Sequence, residues 1–431
     1  MSYSFCKGHG PSKTCGVGEI AVFEGTEASL GGGIMQIRAK NETDGIHCRV
    51  FRPALPLGLF LIAITTSAAS IWQLRSQQER PPRVAQHSPA KRPVTRKPHK
   101  LQISKVNDPN TADPIGPSSE GEAVIRASIL LDRVKFSRGE ISQSYTDNFS
   151  KAVSAYQLTN GLPATGNVDP ATWTKLNQAQ GTNGPTQDNS EAGTPQQNPN
   201  PSGPQAIISY VILLEDVHGP FTKLPRVRGP NAGEQFLLQE AKLHELNYES
   251  PLELLAEKFH SSPKLLVELN PGKAFDKAGV QIDVPNVLTP DPPQAASVVV
   301  DASTKSVTPL DSTGKMLAFY PATVGSQHDP LPAGNWKITE VTRYPHFKYN
   351  PNLFWDSENK HPRATLPPGP KNPVGVVWIG LSKEHYGIHG TPEPSTIGVT
   401  QSHGCIRLTN WDALELSKIV HVGTPAVLKA S

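Results

Sequence analysis

The sequence predicts a multidomain protein: a small helical module, a strand-helix-helix-strand module and a mostly-β domain at the carboxyl end. Three observations support this organisation. Proline makes up 42 of the 431 residues, about twice its usual share of ~5%, and apolar residues cluster between proline-rich stretches, as in compact modules joined by linkers. Residues 149–156 place apolar side chains at helical spacing. From residue 297 onward, short strand patterns alternate with turn residues.

Charge and cysteine content limit the function classes to consider. The formal net charge is +3, and no basic helix is interleaved with aromatic residues. Nucleic-acid-binding proteins usually concentrate positive charge on one face, so no nucleic-acid partner is expected. Three of the four cysteines lie in the first 48 residues, so no disulfide can form within the rest of the chain.

The apolar segment 54–70 predicts an export signal. Residues 54–69 carry no charge, Arg49 and Arg52 precede them, and small residues follow. A positive region, an apolar run and a small-residue cleavage site in this order are typical of a secretory signal peptide. The run is shorter than the about 20 residues that span a membrane. Two further apolar residues extend it, however, so a membrane anchor over 54–72 is the alternative.

The segments around this signal are predicted to lack a folded core. Residues 1–53 combine an amino-terminal extension, with Met35 as the expected start, and the positive region before the signal. Residues 71–120 are rich in proline and basic residues and have no apolar periodicity, as expected of a disordered linker. Residues 179–206 are mostly Gln, Asn, Gly, Pro and Ser, which predicts a second, flexible linker.

A three-helix module is predicted over residues 121–178. One helix has an apolar stripe at i, i+3, i+4 and i+7, formed by Phe149, Ala152, Val153 and Tyr156. Asn148 is the expected cap at its start, and Gly161 is the expected stop. Another helix is predicted over 123–133, and residues 169–170, Asp-Pro, start the last one with proline in its first turn.

The sequence of this module resembles the peptidoglycan-binding domain type 1. The resemblance covers the whole module and is carried by FSRGEI at 136–141, NFSKAVSAYQ at 148–157 and GLPATGNVDPATWTKL at 161–176. It implies that the module binds the bacterial cell wall. The apolar stripe alone would be core in any helical domain.

A strand-helix-helix-strand module is predicted over residues 207–288. Strands are expected at 207–214 and 280–287, with helices over 250–259 and 265–269 between them. The segment LLAEKFHSSPKLLVELNPG, followed by VQIDVP, resembles the LysM family. That resemblance implies binding to glycans that contain N-acetylglucosamine. The chain departs from the family where Ser-Pro replaces the usual Asp-Thr at the first helix, and where about thirty residues separate strand from helix.

A mostly-β domain with one or two helices, built as a sandwich or barrel, is predicted over residues 295–428. Strands are expected at 297–301, 306–310, 317–323, 334–341, 374–381 and 386–389. Asn410 is the expected cap of a final helix, which Gly423 stops. The aromatic segment 344–355 either flanks a substrate groove or belongs to the core.

The chemistry of this domain centres on Cys405, the only cysteine beyond the first 48 residues. A thiolate attacks an acyl carbon, but a free thiol has a pKa of about 8.5 and needs a base to take its proton. His389 and His403 are the candidate bases. Gly404 lets the backbone approach a substrate closely, and its N–H and that of Cys405 are suited to hold an oxyanion. Arg407 is suited to bind a substrate carboxylate through two hydrogen bonds.

Other interpretations of these residues stay open at this point. A lone cysteine is more often a small buried apolar residue than a nucleophile. Cys405, His389 and His403 would also supply three zinc ligands, although their spacing fits no common zinc motif. A papain-like peptidase has its cysteine before its histidine, which is the opposite of the order found here.

The motif around Cys405 resembles the catalytic domain of the YkuD family of L,D-transpeptidases. The resemblance is carried by HGT at 389–391 and SHGCIRL at 402–408 and covers 295–428. It implies a β-rich fold in which Cys405 is the nucleophile and His389 its proton acceptor and donor, with His403 as a further catalytic residue. It also implies an oxyanion hole and substrate site formed by Gly404, Arg407, Ser402, Gly390 and Thr391.

The same resemblance implies a reaction on peptidoglycan in the bacterial periplasm or cell wall, without a metal or cofactor. The thiolate would attack the amide between the third residue of a stem peptide and its D-Ala, release D-Ala and form a thioester. An amine of another stem would then accept the acyl group, which gives a 3→3 cross-link. Carbapenems would be expected to acylate the cysteine.

The alternatives within this reaction concern the acceptor. A lipoprotein lysine is one alternative acceptor, and water is another, which would make the enzyme an L,D-carboxypeptidase. A non-catalytic wall-binding protein is a third function, and intact His389 and Cys405 argue against it.

Overall fold

The computed structural model describes residues 100–180, 205–228, 232–353, 362–402 and 404–430. The predicted extension, the signal or anchor and most of both linkers lie outside these residues. Within the described ranges, none of the helices is long and apolar enough to cross a membrane.

The first described module consists of helices: α1 Ile103–Val106, α2 Glu122–Arg133, α3 Asp147–Thr159 and α4 Pro170–Ala179. The predicted apolar stripe of α3 is buried, which confirms that helix. Its cap is Thr146, whose hydroxyl accepts the N–H of Phe149 at 3.2 Å, so the prediction of Asn148 was wrong. Asn148 lies inside the first turn, and its amide instead donates to the carbonyl of Ile397 at 2.8 Å.

Residues 100–120, which the sequence placed in a disordered linker, pack against this module. Leu101, Val106 and Ile115 are buried, and the N–H of Ile115 donates to the carbonyl of Val168 at 3.0 Å. The linker prediction was wrong for this stretch because its apolar residues stand singly. Such spacing produces no periodicity, although each residue fills a place in a core formed by distant helices.

The middle module contains β1 Ile207–Val211, α5 Leu214–His218, α6 Ala232–Glu240, α7 Pro251–Lys258, α8 Pro263–Leu269 and β2 Gln281–Pro285. The two strands pair antiparallel, with Ile207 opposite Pro285. Ser250 and Ser262 cap α7 and α8 through their hydroxyls. The predicted strand-helix-helix-strand order is therefore present, with α5 and α6 added between β1 and α7.

The last module is mostly β, as predicted. Its elements are β3 Ser297–Asp301, β4 Ser306–Leu310, β5 Tyr320–Pro321, β6 Thr323–Val324, β7 Gly334–Arg343, β8 Phe347–Tyr349, β9 Ala364–Leu366, β10 Val377–Leu381, β11 Gly387–His389, β12 Ile406–Arg407, α9 Asn410–Ile419 and β13 Pro425–Lys429. Strands β8 and β9 form a separate hairpin. The nine others form one sheet in the order β5-β4-β3-β13-β7-β10-β11-β12-β6.

The two edges of this sheet are joined almost directly, which makes it barrel-like. β5 and β6 are the edge strands, and only Ala322 separates them in the chain. A sheet whose first and last strands are so closely linked must curl round on itself. Helix α9 packs against β10 and β11 and buries Ala413, Leu416 and Ile419 in the core.

The cap of α9 differs from the prediction. The hydroxyl of Thr409 accepts the N–H of Asp412 at 3.2 Å, so Thr409 is the cap and Asn410 is the first helical residue. Both residue types are good caps, and the sequence places them side by side. The side chain of Asn410 is used for tertiary contacts instead.

The added segment of the middle module packs on the β8–β9 hairpin. Leu246, Tyr349 and Leu366 form a buried cluster, with Phe347 packed against it. Helix α6 lies against β9. The described part of the aromatic segment 344–355 therefore contributes mainly to this core, although Tyr344 is 58% exposed.

The three modules share buried contacts, so the described residues do not form independent domains joined only by linkers. Ile125 and Ile129 of α2 share a core cluster with Ile207, Leu265 and Leu269 of the middle module. All described residues belong to the same compact unit. The prediction of compact modules joined by linkers, which rested on linker composition, therefore missed the packing between the modules.

A buried polar junction joins all three modules. Nδ1 of His260 in the middle module lies 3.1 Å from both carboxylate oxygens of Asp132 in α2. The His260 ring stacks on Trp411 of α9, with ring centroids 5.1 Å apart. Burial lowers the pKa of His260, but the charge and the hydrogen bond of Asp132 contribute most to outweighing burial and raising it. Burial and the Asp132 charge raise the pKa of Asp412 to about 8.

Shared packing predicts that a core deletion in one module weakens the next. Ile129→Ala should lower the free energy of unfolding by about 2–5 kcal/mol, because it leaves a cavity in a fully buried cluster. Hydrogen exchange measured by mass spectrometry should accelerate in peptides from both α2 and α8.

The control for this experiment is Leu158→Ala on α3. Leu158 is 67% exposed, so the change should stay within about 0.5 kcal/mol. Acceleration confined to the helical module in Ile129→Ala would contradict the shared core.

Candidate active site

Two short parallel strands place the predicted catalytic residues on one face of the sheet. Ile388 of β11 pairs with Ile406 of β12, and His389 pairs with Arg407. Both isoleucines are fully buried in the core. Successive strand residues point to opposite faces, so His389 and Arg407 project from the other face. Cys405 directly precedes β12, and its sulfur accepts the N–H of Gly387, the first residue of β11.

The Cys405 thiol has two polar backbone neighbours. Its Sγ lies 3.8 Å from the carbonyl oxygen of His385, and the N–H of Gly387 donates to it. Burial raises the pKa of Cys405, which the Gly387 N–H and the Arg407 charge offset only in part. The resting thiol is therefore protonated at neutral pH. These contacts favour a reactive group over a small apolar core residue.

His389 is held as a neutral base. It is 3% exposed, and its Nδ1 lies 2.7 Å from the carbonyl oxygen of Gly390. A carbonyl only accepts hydrogen bonds, so Nδ1 carries the proton and Nε2 keeps its lone pair. Burial and the Arg407 charge lower the pKa of His389 to about 3. The ring also stacks on Trp378, with centroids 5.7 Å apart.

The pKa shifts of His389 and Cys405 together define the resting protonation state of this pair. Because the pKa of His389 is lowered and that of Cys405 is raised, the proton stays on sulfur and neither group is charged. A preformed thiolate–imidazolium pair would need two charges in a largely buried site. A neutral imidazole beside a protonated thiol is the arrangement in which a general base takes the proton as the sulfur attacks.

Gly404 is required by a close approach to Tyr386. Its φ is +98°, and a Cβ there would lie 2.8 Å from Cε1 of the tyrosine ring. Burial, followed by the charges of Asp329 and Cys405, raises the pKa of Tyr386. Tyr386 was not among the residues predicted from the sequence. The only sequence feature that could have indicated it is its position three residues before His389.

Ser402 orders the turn that presents the thiol. Its hydroxyl donates to the carbonyl of Cys405 at 2.6 Å, and its N–H donates to the carbonyl of Gly325 at 3.0 Å. The only hydroxyl proton of Ser402 is thus used inside the turn. The side chain therefore supports the loop and does not donate to a substrate in this arrangement.

Gly390 and Thr391 shape the segment after His389. The N–H of Gly390 donates to the carbonyl of Val377 at 3.2 Å, while its carbonyl accepts from His389. Thr391 is buried, and its hydroxyl accepts the N–H of Glu393 at 3.2 Å. Gly390 therefore contacts the His389 ring through its backbone carbonyl, whereas Thr391 orders the turn that follows.

Arg407 lies close enough to Cys405 for each group to affect the pKa of the other. Burial lowers its pKa, and Cys405 raises it. No ion pair joins its guanidinium to a carboxylate of the described residues. A partly buried guanidinium without a counter-ion is suited to bind an anionic group of a ligand.

His403 lies outside the described residues, so its predicted catalytic role stays a prediction. The zinc alternative needs this histidine and is likewise untested. Within the ranges that the structure describes, no group of three or more His, Cys, Asp or Glu side chains could hold a metal ion.

Comparison with known proteins places the chain in a family. Residues 295–428 match the family model of the YkuD "L,D-transpeptidase catalytic domain". The chain is 34% identical to the "Putative L,D-transpeptidase YkuD" of Bacillus licheniformis over 176 residues, which covers 40% of this chain and 90% of that protein. This chain belongs to the YkuD L,D-transpeptidase family. The relative of the same name in Bacillus subtilis is 33% identical over 177 residues, with the same coverage of both chains.

The helical module also has a match. Residues 120–176 match the "Putative peptidoglycan binding domain" model, which confirms the second resemblance. Among solved structures, an L,D-transpeptidase from Mycobacterium smegmatis aligns with 36% of this chain and 75% of its own, at 18% identity and a TM-score of 0.26.

The fit between Gly404 and Tyr386 leads to a prediction. Gly404→Ala should slow acylation of Cys405 by about 10- to 100-fold, because the new methyl displaces the turn and small misplacements at a reacting centre are costly. Acylation by a carbapenem, followed by intact-protein mass spectrometry, measures this rate.

The matched control is Gly314→Ala in the β4–β5 turn. Gly314 has a similar φ of +84°, but no atom lies within 4 Å of its added Cβ. Its strain should cost stability and leave the acylation rate unchanged. Equal rates for Gly404→Ala and wild type would show that the Tyr386 contact does not hold the turn.

Proposed function

We propose that Cys405 is the nucleophile and His389 the general base of this peptidoglycan L,D-transpeptidase. The observation that carries the proposal is the hydrogen bond between Nδ1 of His389 and the Gly390 carbonyl. It leaves the lone pair of Nε2 available, on a strand whose Gly387 N–H donates to the thiol sulfur. Family membership supports the reaction class, and peptidoglycan is its substrate.

The first half-reaction forms a thioester. Nε2 of His389 takes the thiol proton as the sulfur of Cys405 attacks the carbonyl between stem residue 3 and D-Ala. The resulting oxyanion is proposed to bind the N–H groups of Gly404 and Cys405. The C–N bond then breaks, the imidazolium returns its proton to the leaving amine, and D-Ala departs.

The second half-reaction transfers the acyl group. An amine of a second stem peptide attacks the thioester carbonyl, and His389 removes a proton from that nitrogen. The C–S bond breaks and the thiolate of Cys405 takes the proton back, which restores the neutral pair. The product is a 3→3 cross-link. The guanidinium of Arg407 is proposed to bind a carboxylate of the substrate stem peptide during both half-reactions.

The other modules are proposed to keep the enzyme at its polymer. The helical module supports wall binding through its family match. The strand-helix-helix-strand order of 207–288 supports a LysM-like fold, and we propose glycan binding there. Two wall-binding modules on one chain raise the local concentration of substrate. A wall substrate requires an extracytoplasmic location, and we propose that segment 54–72 directs export or anchors the chain.

Product analysis tests this function. The exported chain is incubated with disaccharide-tetrapeptides, and the products are identified by mass spectrometry. We expect release of D-Ala and a 3→3 dimer, both absent in Cys405→Ala. His389→Gln should lower the rate by about 10²–10⁴-fold, the usual contribution of a general base.

Other products would assign other functions. Tripeptide monomer without dimer would identify an L,D-carboxypeptidase. A conjugate between the tripeptide stem and an added lysine-bearing lipoprotein peptide, formed without 3→3 dimer, would identify that acceptor. No reaction, with retention on isolated cell walls, would leave a binding protein.

A further inference from the structure

The side-chain amide of Asn410 is wedged between two glycine backbones. A Cβ on Gly375 would lie 2.0 Å from Oδ1 of Asn410, and one on Gly390 would lie 2.2 Å away. The same oxygen accepts the N–H of Val376 at 3.2 Å. On the other side of the amide, Nδ2 donates to the carbonyl of Pro370 at 3.1 Å. Both the oxygen and the nitrogen of this buried amide thus hold main-chain segments in place.

One of those main-chain segments, at Gly390, orients the catalytic base. Gly390 contacts the Asn410 amide and offers the carbonyl that accepts from Nδ1 of His389. The direction of that carbonyl decides which ring nitrogen of His389 holds the proton and where Nε2 lies. A shift of the Gly390 peptide would therefore turn the base relative to Cys405.

The amide of Asn410 is itself held from the neighbouring module. Its Nδ2 also donates to Oε2 of Glu257 in α7, at 3.2 Å. Oε1 of Glu257 accepts the hydroxyl of Tyr248 at 2.7 Å. Burial raises the pKa of Glu257 to about 7. Glu257 is thus a partly buried carboxyl whose hydrogen bonds join the middle module to the segment behind the active site.

These contacts form a continuous chain of hydrogen bonds and close packing from one module to the reacting atoms of another. We propose that Glu257 and Asn410 are positioning residues for His389, and that the middle module is part of the catalytic machinery as well as a binding module. The proposal rests on the function proposed for His389 and Cys405. It assigns this module a task in the reaction itself, independent of whether it binds glycan.

The test compares acylation rates of Glu257 variants with a carbapenem, which needs no acceptor and reacts at Cys405. Glu257→Ala removes one of the two hydrogen-bond acceptors of the Asn410 Nδ2 group. The maximal acylation rate should fall by about 10-fold or more, while the carbapenem concentration at half-maximal rate stays within about two-fold. Glu257→Gln keeps an oxygen that accepts from Asn410, so it should retain most of the wild-type rate.

A double variant separates positioning from general loosening of the fold. If Glu257 acts through His389, adding Glu257→Ala to His389→Gln should leave the slow residual rate unchanged. A loosened fold would lower the rate in both backgrounds. The matched control is Glu253→Ala, on the same face of α7 and bound across the interface to Lys371 at 2.7 Å. It should lower thermal stability slightly and leave the rate unchanged.

The outcomes separate this proposal from the proposed function. Wild-type rates in Glu257→Ala, or equal losses with and without His389, would overturn the positioning role. Failure of the wild-type protein to process tetrapeptides, with the Glu257 effects on carbapenem acylation intact, would overturn the transpeptidase assignment and support the positioning role.

Discussion

The active site depends on the in-register pairing of β11 with β12. Because Ile388 and Ile406 are both fully buried, the register cannot slip by one residue without placing them in solvent and turning the catalytic residues inward. The same pairing brings the Gly387 N–H to the Cys405 sulfur. The hydrophobic core thus determines the geometry of a polar site that lies on the opposite face.

Burial also determines how the site holds its proton. His389 is neutral because a charged imidazole would lose its hydration and would face the Arg407 guanidinium. The thiol is neutral because its ordinary pKa of about 8.5 already lies above neutral pH, and burial, which outweighs the Gly387 N–H and the arginine charge, raises it further. The His389–Cys405 pair therefore carries no net charge, and no carboxylate of the described residues neutralises the neighbouring Arg407 guanidinium.

The sequence predicted the local features of this protein better than the long-range ones. Residues 389–391 and 402–408 indicated the family because each motif is a short contiguous run that can be recognised without knowledge of the fold. Strands Ser297–Asp301 and Ser306–Leu310 were also predicted within their observed bounds. Glu257 was not found because it contacts Asn410 from 153 positions away. Asn148 and Asn410 were mistaken for caps because Thr146 and Thr409, near them, satisfy the same requirement.

The central claim is that His389 is a neutral base with its proton on Nδ1, next to a protonated thiol. Two-dimensional ¹H–¹⁵N spectra of protein labelled at histidine nitrogens test it most directly, with the His389 signals assigned by their loss in His389→Gln. The account predicts a neutral ring protonated at Nδ1 throughout pH 5–8. An imidazolium at pH 7 that becomes neutral in Cys405→Ala would show a preformed ion pair and would contradict the account.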